Sequence, residues 1–408
     1  MISIGDIRAA AAALEGHIVK TPLIVAPRLS DRLGVTIFLK LESLQYTGSF
    51  KDRGALVKLL GLSESERARG VIAASAGNHA QGVAYHAKRL DIPATIVMPE
   101  ATPFTKIERT AGLGAHVLLE GAGLAEATVF AEAKARREGL IFVHPYDDPA
   151  IIAGQGTVAL EMLSAEPGLE ALIVPIGGGG LIAGIATAAK TLKPELAIFG
   201  VEAAACASMY RALRGEAATR SESTLAEGIA VERPGKLTEP VIRASVEEIF
   251  LVSEDAIECA VETLLCEEKI VAEGAGAAPL AALSDQRDRF KGKKIGLVIS
   301  GGNIDSRVLS SVLLRGLVRG GRLFRLRIEL LDQSGSLHQL TGIIAEQGAN
   351  IIEAHHQRLF SDVPIKYAEL DLMIEARNAE HAREIMAKLA AAGFKNRMLG
   401  SRSAAGTD

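Results

Sequence analysis

Short apolar segments alternate with alanine-rich helical segments over most of the chain, from about Thr36 to Val312. This alternation predicts an α/β fold with a largely parallel sheet, because parallel strands need a crossover connection between them. Functional loops are then expected at the carboxyl ends of the strands. The predicted strands are 36–40, 70–75, 94–99, 116–120, 171–176, 196–202 and 294–300, and the predicted helices include 53–62, 79–90, 104–112, 123–138, 150–164 and 254–269.

The pattern changes after Leu313. Residues 315–327 contain five arginines and no acidic residue. That run fits either a patch that binds phosphate or nucleic acid, or a linker that leads into a solvated edge strand. We expect a linker at 316–322, which ends the first domain at 315.

A compact pattern of strands and helices follows the linker. It predicts a βαββαβ unit, because each helical segment is flanked by strand segments of alternating hydrophobicity. His355 and His356 are neighbours on one of these strands, so one is expected in the core and the other on the surface. The predicted elements are strands 323–331, 350–359 and 366–375, helices 337–348 and 378–393, and a short last strand, which together form a domain at 323–401 before a tail at 402–408.

The composition is typical of a soluble globular protein. The chain has 49 acidic and 45 basic residues and a net charge of −4, so no strongly basic surface for nucleic acid is expected. Cys206, Cys259 and Cys266 form no CxxC pair, which indicates a reducing, cytoplasmic location and argues against zinc. Residues 171–189 are uncharged, but Pro175 and four consecutive glycines argue against a membrane-spanning helix. The N-terminus predicts a first helix rather than a signal peptide.

The segment TGSFKDRGA, at 47–55, has a lysine at the predicted start of a helix. The partial positive charge of a helix N-terminus disfavours the ammonium form of Lys51, and a neutral amine can form an imine with an aldehyde. An exposed lysine at an ordinary helix start also fits these residues.

The segment SAGNHAQG, at 75–82, follows a predicted strand and opens a helix. The free N–H groups of such a helix start can bind a carboxylate, and the amide of Asn78 can donate to an oxygen on a ring. A tight turn with an asparagine cap fits the segment equally well.

Four consecutive glycines lie between a predicted strand and the helix that follows it. They can form a nest of N–H donors with no side chain in the way of a phosphate group. Gly178, Gly180 and Ala183 also satisfy a dinucleotide-binding pattern, with Glu202 about twenty residues further on. Both interpretations fit the local sequence.

The segment SGGN, at 300–303, is a further glycine loop after a strand. The hydroxyl of Ser300 can donate to a ring nitrogen, although an ordinary turn also explains the segment. Taken together, a lysine for an imine, an asparagine for a phenolic oxygen, glycines for a phosphate and a serine for a pyridine nitrogen are the groups needed to hold pyridoxal phosphate. A nicotinamide enzyme would leave three of them unexplained.

In this order, TGSFKDRGA, SAGNHAQG, PIGGGGLIAGIA and SGGN resemble the fold type II (tryptophan synthase β-like) pyridoxal-phosphate enzymes of the threonine dehydratase family, over roughly residues 5–315. The resemblance implies a catalytic domain at 1–315, built from two α/β subdomains, with the smaller one at about 42–148 inserted in the larger. In the tail, LDQSGSLHQL and GANI resemble an ACT domain, which implies a ferredoxin-like fold for 323–401.

The resemblance also implies roles for individual residues. Lys51 would bind the cofactor as an imine and serve as the catalytic base, with Phe50 beside the ring. Ser300 would donate to the pyridine nitrogen, and Glu273 lies where the family keeps an acidic residue near the cofactor, although a helix-capping role fits it equally. Asn78 would donate to the phenolic oxygen of the cofactor. The residues implied for the phosphate are Gly177, Gly178, Gly179, Gly180 and Leu181. The residues implied for the substrate carboxylate are Ser75, Ala76, Gly77, Asn78 and His79.

The implied reaction is β-elimination of L-threonine to 2-oxobutanoate and ammonia, and of L-serine to pyruvate. A serine racemase/dehydratase and a 3-hydroxyaspartate dehydratase of the same fold are the alternatives. Related serine racemases carry a second serine where Ala76 stands, and a one-base site eliminates more readily than it racemises. Their cation site matches Glu202, Cys206 and Ser208, so one carboxylate is missing and no metal is expected. For the tail, the resemblance implies isoleucine or valine as an effector, in a homo-oligomer that is a dimer or a tetramer.

Overall fold

The computed structural model of the chain describes residues 2–217, 223–358 and 363–399. The chain divides into two compact units between Ile304 and Asp305. The limits at 315 and 323 stay predictions, and the tail at 402–408 lies outside the described residues.

The strands of the first unit agree closely with those expected from the alternating pattern. Three described strands, at 23–25, 141–142 and 248–252, were not predicted, because two of them are too short to show a period and the third has little alternation. In chain order the strands are β1 (Leu23–Val25), β2 (Thr36–Leu41), β3 (Val71–Ala74), β4 (Ala94–Met98), β5 (His116–Leu119), β6 (Ile141–Phe142), β7 (Ala171–Pro175), β8 (Ala197–Ala203), β9 (Glu248–Val252) and β10 (Lys294–Ile299).

The helices of the first unit connect these strands. Several begin at a capping side chain, such as Asp148, whose carboxylate accepts from the N–H groups of Ala150 and Ile151. In chain order the helices are α1 (Ile4–Leu14), α2 (Pro27–Leu33), α3 (Lys51–Leu60), α4 (Glu64–Arg69), α5 (Asn78–Arg89), α6 (Phe104–Gly112), α7 (Leu124–Glu138), α8 (Pro149–Ala165), α9 (Gly180–Leu192), α10 (Ser208–Leu213), α11 (Thr238–Ser245), α12 (Glu254–Cys266), α13 (Gly274–Asp285) and α14 (Arg287–Phe290).

Two sheets organise the first unit within its described residues. The larger has six strands in the order β1-β2-β10-β7-β8-β9, in which β1 is antiparallel to β2 and the other pairs are parallel. The smaller has four parallel strands in the order β5-β4-β3-β6. All of its strands fall between residues 42 and 148, the range expected for the small subdomain. The predicted α/β class with largely parallel sheets is confirmed.

Each sheet has its own core. The core of the larger sheet includes Val158 on α8 and Ile182 on α9, both fully buried. The core of the smaller sheet includes Val83 on α5 and Ile96 on β4. The carboxyl ends of β3, β7 and β10 carry the loops that the sequence singled out.

The second unit begins with helix α15 (Ser306–Arg319), capped by Asp305. The elements that follow have the predicted β-α-β-β-α-β order, and the four strands form an antiparallel sheet in the order β12-β13-β11-β14. They are β11 (Leu323–Leu331), α16 (Ser336–Glu346), β12 (Asn350–Gln357), β13 (Tyr367–Glu375), α17 (Ala379–Ala391) and β14 (Lys395–Leu399).

The expectation for the paired histidines is wrong. His355 and His356 are both exposed. Strand β12 is at the edge of its sheet, and residues 352–357 are exposed whichever way their side chains alternate. Alternation along a strand buries every second residue only where a second layer covers that strand.

The uncharged stretch at 171–189 is divided between β7, the glycine loop and the start of α9. In the described part of the chain, no helix combines the length and the apolar character needed to cross a membrane.

Candidate active site

Lys51 is the first residue of α3, and its amine lies close to three other segments of the first unit. Its Nζ donates to the carbonyl oxygen of Pro145 at 2.7 Å. Burial lowers the pKa of Lys51 to about 8, although the nearby Glu273 carboxylate acts in the opposite direction. An amine with this pKa is neutral in a substantial fraction of molecules near neutral pH and can then attack a carbonyl carbon.

A buried carboxylate fixes the loop in front of Lys51. Asp52 accepts from the N–H of Thr47 at 2.9 Å and from its hydroxyl at 2.8 Å, so the chain turns back on itself. His86 of α5 contacts the same carboxylate, with Nε2 3.1 Å from Oδ1. The position of the amine therefore does not depend on a flexible loop.

The third residue of α3 anchors the helix to the rest of the first unit. Arg53 is completely buried and pairs with Glu42 at 2.7 Å and with Glu161 of α8 at 2.6 Å. Lys40 on β2 pairs with the same Glu161. Each buried charge has a partner of opposite sign, which offsets the cost of removing it from water.

The loop after β10 is joined to the loop before Lys51 by backbone contacts. The N–H of Phe50 donates to the carbonyl oxygen of Ser300 at 3.0 Å, and Ser49 forms an isolated antiparallel bridge with Gly301. The side chain of Ser300 is buried, with 2% of its surface exposed. Phe50 lies beside the amine, with its ring centroid 5.1 Å from Lys51 Nζ.

Asn78 is the first residue of α5, directly after the loop that follows β3. Its Nδ2 donates to Glu273 Oε1 at 2.7 Å, and its Oδ1 accepts from Asn303 Nδ2 at 2.8 Å. Glu273 precedes α13, and burial raises the pKa of its carboxyl group to about 7. The alternative role as a helix cap is not seen for the Glu273 side chain, since no side-chain bond caps α13.

The rest of the asparagine loop is close to the same place. Ser75, Ala76 and Gly77 are half-buried, and the Ser75 hydroxyl accepts from the N–H of Gly77 at 3.2 Å. His79 is buried, with Nε2 2.9 Å from the carbonyl oxygen of Val143. Burial, together with the nearby Lys51, lowers the pKa of His79 to about 3, so this imidazole is neutral.

The glycine loop connects β7 to α9, and its glycines have no room for a side chain. Gly179 has a φ of +94°, a conformation that favours glycine. A Cβ on Gly180 would lie 2.9 Å from the carbonyl oxygen of Tyr146, and a Cβ on Gly178 would overlap the Tyr146 ring. Leu181 follows in the first turn of α9 and is buried.

The segment at 145–146 brings the glycine loop and the lysine together. Pro145 accepts from the Lys51 amine, while the next residue, Tyr146, packs on the glycines. The Tyr146 hydroxyl donates to the carbonyl oxygen of Arg233 at 3.0 Å. The structure thus brings Lys51, Asn78, Ser300, Glu273 and the glycine loop to the same region.

This donor set fits a phosphorylated aromatic aldehyde. It offers an amine of lowered pKa for the aldehyde, an amide near a ring oxygen, and bare backbone N–H groups at the start of a long helix for the phosphate. The sequence did not identify Thr47, Pro145, Tyr146 or Asn303 as parts of the site. Asn303 could have been identified, because it is the last residue of the SGGN segment. Pro145 and Tyr146 belong to no recognised motif.

Glu202, the first of the three positions that match a cation site in related racemases, binds backbone N–H groups in this chain. The buried Glu202 carboxylate accepts from the N–H groups of Met209 at 2.9 Å and Tyr210 at 2.8 Å. Burial raises its pKa to about 7. Within the described ranges, no three His, Cys, Asp or Glu side chains are grouped so that they could hold a metal ion.

Comparisons with known proteins also indicate an enzyme that depends on pyridoxal phosphate. A family model described as pyridoxal-phosphate dependent enzyme matches residues 14–301. The L-threonine ammonia-lyase of Thermotoga maritima is 45% identical over 402 residues, which cover 98% of this chain and 100% of that protein. The L-threonine ammonia-lyase of Geobacter sulfurreducens is 44% identical, with 93% of this chain and 95% of that protein covered.

Two solved structures extend the comparison to the fold. Threonine deaminase isoform 2 from Solanum lycopersicum superposes with a TM-score of 0.72 at 37% identity, covering 76% of this chain and 91% of that one. Serine racemase from Dictyostelium discoideum gives a TM-score of 0.70 at 35% identity, covering 74% and 99%. Both similarities span most of the chain, so the fold type II architecture expected for the catalytic region is confirmed.

Proposed function

The chain belongs to the family of pyridoxal-phosphate dependent enzymes, and from this premise we propose that it is a threonine ammonia-lyase, converting L-threonine to 2-oxobutanoate and ammonia. Membership of the family confirms pyridoxal phosphate as the cofactor. The observation that carries the proposal is the half-buried amine of Lys51, whose pKa is lowered to about 8. The names of the similar Thermotoga and Geobacter proteins support threonine as the substrate.

We assign the cofactor contacts as follows. Lys51 binds the aldehyde carbon, Phe50 packs beside the ring, Asn78 donates to the phenolic oxygen and Ser300 donates to the pyridine nitrogen. The phosphate is bound by the loop from Gly177 to Leu181, whose glycines carry no side chains that would block its N–H groups. The assignment is supported by the contacts of the 145–146 segment with Lys51 and the glycine loop, and by the backbone bond between Phe50 and Ser300.

Lys51 is also the base of the proposed reaction. Once the substrate amine has released it, its neutral Nζ removes the Cα proton of the substrate. When bound, pyridoxal phosphate supplies the electron sink that delocalises the resulting negative charge. The β-hydroxyl group takes up a proton and leaves as water, which gives an enamine, and one water then hydrolyses the released enamine to the 2-oxo acid and ammonia. The loop from Ser75 to His79 binds the substrate carboxylate at the start of α5.

The neutral state of His79 supports this division of roles. With a pKa of about 3, His79 is neutral near neutral pH, so it is not an imidazolium that could act as the acid. Its ring contacts the carbonyl oxygen of Val143, the first residue of a short segment at 143–146, here called the strap, which includes Pro145. His79 therefore shapes the carboxylate loop and leaves proton transfer to Lys51.

A serine racemase or 3-hydroxyaspartate dehydratase is the second candidate, because the solved structures that resemble this chain include serine racemases. Ala76 favours elimination, since a racemase needs an acid on the face of the cofactor opposite Lys51 and a methyl group cannot supply it. L-Serine is proposed as a further substrate, with pyruvate as its product, because one methyl group changes binding in a pocket by about 1–3 kcal/mol.

We further propose that residues 323–401 form an ACT domain with a ferredoxin-like fold that binds isoleucine or valine and regulates activity. The antiparallel order β12-β13-β11-β14 supports this fold. Gly335, with a φ of +93°, precedes the first turn of α16, and no side chain caps the start of this helix, where a ligand could accept from N–H groups. We propose that the regulation acts through the interface of a homo-oligomer, a dimer or a tetramer, in the cytoplasm.

The experiment that tests the catalytic proposal combines a spectrum with product analysis. The purified enzyme should absorb visible light through its bound cofactor. It should release 2-oxobutanoate from L-threonine faster than it releases 2-oxo acids from L-serine or 3-hydroxyaspartate. A visible band without any 2-oxo acid from L-threonine would leave the family assignment intact and refute the proposed activity.

A further inference from the structure

Asn303 joins the two loops that precede Lys51 and Asn78. Its Nδ2 donates to the carbonyl oxygen of Thr47 at 2.6 Å and to Asn78 Oδ1 at 2.8 Å. An amide nitrogen carries two protons, so both protons of Asn303 are used in these bonds. The residue comes from the loop after β10, which also carries Ser300.

Gly48 provides the space for this bridge. Its φ is +75°, and a Cβ at this position would lie 2.7 Å from Asn303 Oδ1. A side chain here would have to displace the Asn303 amide and would lengthen its bond to Thr47. The glycine of TGSFK and the asparagine of SGGN are therefore fitted to each other.

The other end of the Asn78 amide faces a carboxylate. Asn78 Nδ2 donates to Glu273 Oε1 at 2.7 Å. If the Asn78 amide were turned over, its oxygen would face Glu273 and its nitrogen would face the Asn303 nitrogen. Two donors would then oppose each other at Asn303, and ionised Glu273 would face a second acceptor, so both hydrogen bonds would be lost. The environment therefore selects one orientation, which uses one Nδ2 proton and leaves the second available.

We propose that Asn303 is a positioning residue that holds the Asn78 amide so that its second Nδ2 proton is presented to the phenolic oxygen of the cofactor. The inference rests on the proposed assignment of Asn78 to that oxygen. Asn303 acts through Asn78 and needs no contact with the cofactor or the substrate. A hydrogen bond to a phenolic oxygen favours its ionised form, so loss of the correct orientation changes the titration of the bound chromophore.

The test uses the holoenzyme with Asn303→Ala, Asn303→Asp, Asn78→Ala and the double variant Asn78→Ala/Asn303→Ala. For each, the visible spectrum is titrated with pH, and kcat and KM for L-threonine are measured together with the melting temperature of the apoprotein. Asp305→Ala is the matched control, because Asp305 lies two residues further along and caps α15 through the N–H groups of Arg307 and Val308.

We expect both Asn303 variants to shift the apparent pKa of the visible band in the same direction as Asn78→Ala. Their kcat should fall about tenfold while KM changes by less than about threefold, because the substrate contacts remain. The double variant should shift the band no further than Asn78→Ala, since the two residues act through the same hydrogen bond. Asp305→Ala should leave the band unchanged.

Asn303→Asp separates positioning from packing. Aspartate has the size of asparagine, so a packing role predicts a smaller effect than that of Asn303→Ala. Positioning predicts an effect at least as large, because a carboxylate at this place attracts Asn78 Nδ2 and favours the reversed amide. It also supplies a variant of native size if Asn303→Ala does not fold.

Two results would overturn the inference in distinguishable ways. If Asn78→Ala shifts the band and the Asn303 variants do not, Asn303 does not position Asn78, and the proposed cofactor contact of Asn78 stands. If Asn78→Ala itself leaves the band unchanged, the assignment of Asn78 fails and this inference fails with it.

Discussion

Lys51 Nζ donates to the carbonyl oxygen of Pro145 at 2.7 Å, although the two residues are 94 positions apart in the chain. The strap that carries Pro145 also packs Tyr146 on the glycine loop. One short segment therefore contacts both the reactive amine and the proposed phosphate site, and it fixes the distance between them.

Replacing Lys51 by alanine should abolish elimination, with kcat reduced by at least about 10³-fold, because the variant lacks the group that removes the Cα proton. Much of the cofactor affinity should remain, since the phosphate contacts do not involve this amine. Equilibrium dialysis of the cofactor and release of 2-oxobutanoate measure the two effects. Lys58→Ala, on the same helix but paired with Asp148, is the control. Near-normal turnover of Lys51→Ala would show that another group is the base.

The rate at which the apoprotein captures pyridoxal phosphate should rise with pH up to about 8 and then level off. The pKa of Lys51 is lowered to about 8, so below this pH most molecules carry the unreactive ammonium form. Between about pH 6.5 and 7.5, the neutral fraction grows about eightfold. Stopped-flow absorbance after mixing measures the rate. A profile that keeps rising to about pH 10 would indicate an unperturbed lysine.

Gly178→Ala should weaken cofactor binding by at least about tenfold, because the added Cβ overlaps the ring of Tyr146 and must displace the loop or the strap. Gly342→Ala on α16 is the control, since nothing lies within 4 Å of a Cβ there. The double variant Gly178→Ala/Tyr146→Ala should regain part of the cofactor affinity, because it lacks the ring that the added Cβ overlaps. Unchanged affinity in Gly178→Ala would contradict the proposed phosphate site.

L-Serine should give pyruvate with little D-serine, because Ala76 supplies no acid on the second face of the cofactor. Ala76→Ser is the substitution expected to raise racemisation most, and a chiral assay of the residual serine measures it. Abundant D-serine from the unaltered enzyme would favour the racemase alternative instead.

Isoleucine, and more weakly valine, should shift the dependence of the rate on L-threonine concentration. Linkage requires L-threonine to change the affinity for the effector by the same factor. Kinetics with each amino acid, and calorimetric titration of isoleucine with and without a substrate analogue, test both directions.

A chain truncated after about Arg319 should lose the response to isoleucine. An intact enzyme that ignores both amino acids, or a truncated one that keeps the same response, would refute regulation by the second unit. The unit would then be better described as a module for assembly.

Much of the site could be predicted because its residues follow strands in recognisable segments. Lys51, Asn78, Gly177 and Ser300 each come from a loop rich in small residues, and parallel strands bring such loops to one edge. The contacts between loops could not be predicted in the same way. Asn303 and Asn78 are 225 positions apart, and their hydrogen bond depends on how β10 and β3 are placed. Likewise, the exposure of His355 and His356 depends on the edge position of β12 rather than on local alternation.

The backbone bridge between Ser49 and Gly301 has a consequence for motion within the first unit. It ties the loop before Lys51 to the loop after β10, so the proposed partners of the aldehyde and of the pyridine nitrogen belong to one rigid frame. Asn78 and the carboxylate loop instead belong to the smaller sheet. The hydrogen bond from Asn303 to Asn78 nevertheless ties the start of α5 to this frame. The two sheets therefore cannot move apart at the site without breaking this bond, which couples the binding of the amino acid to the loop that holds the pyridine nitrogen.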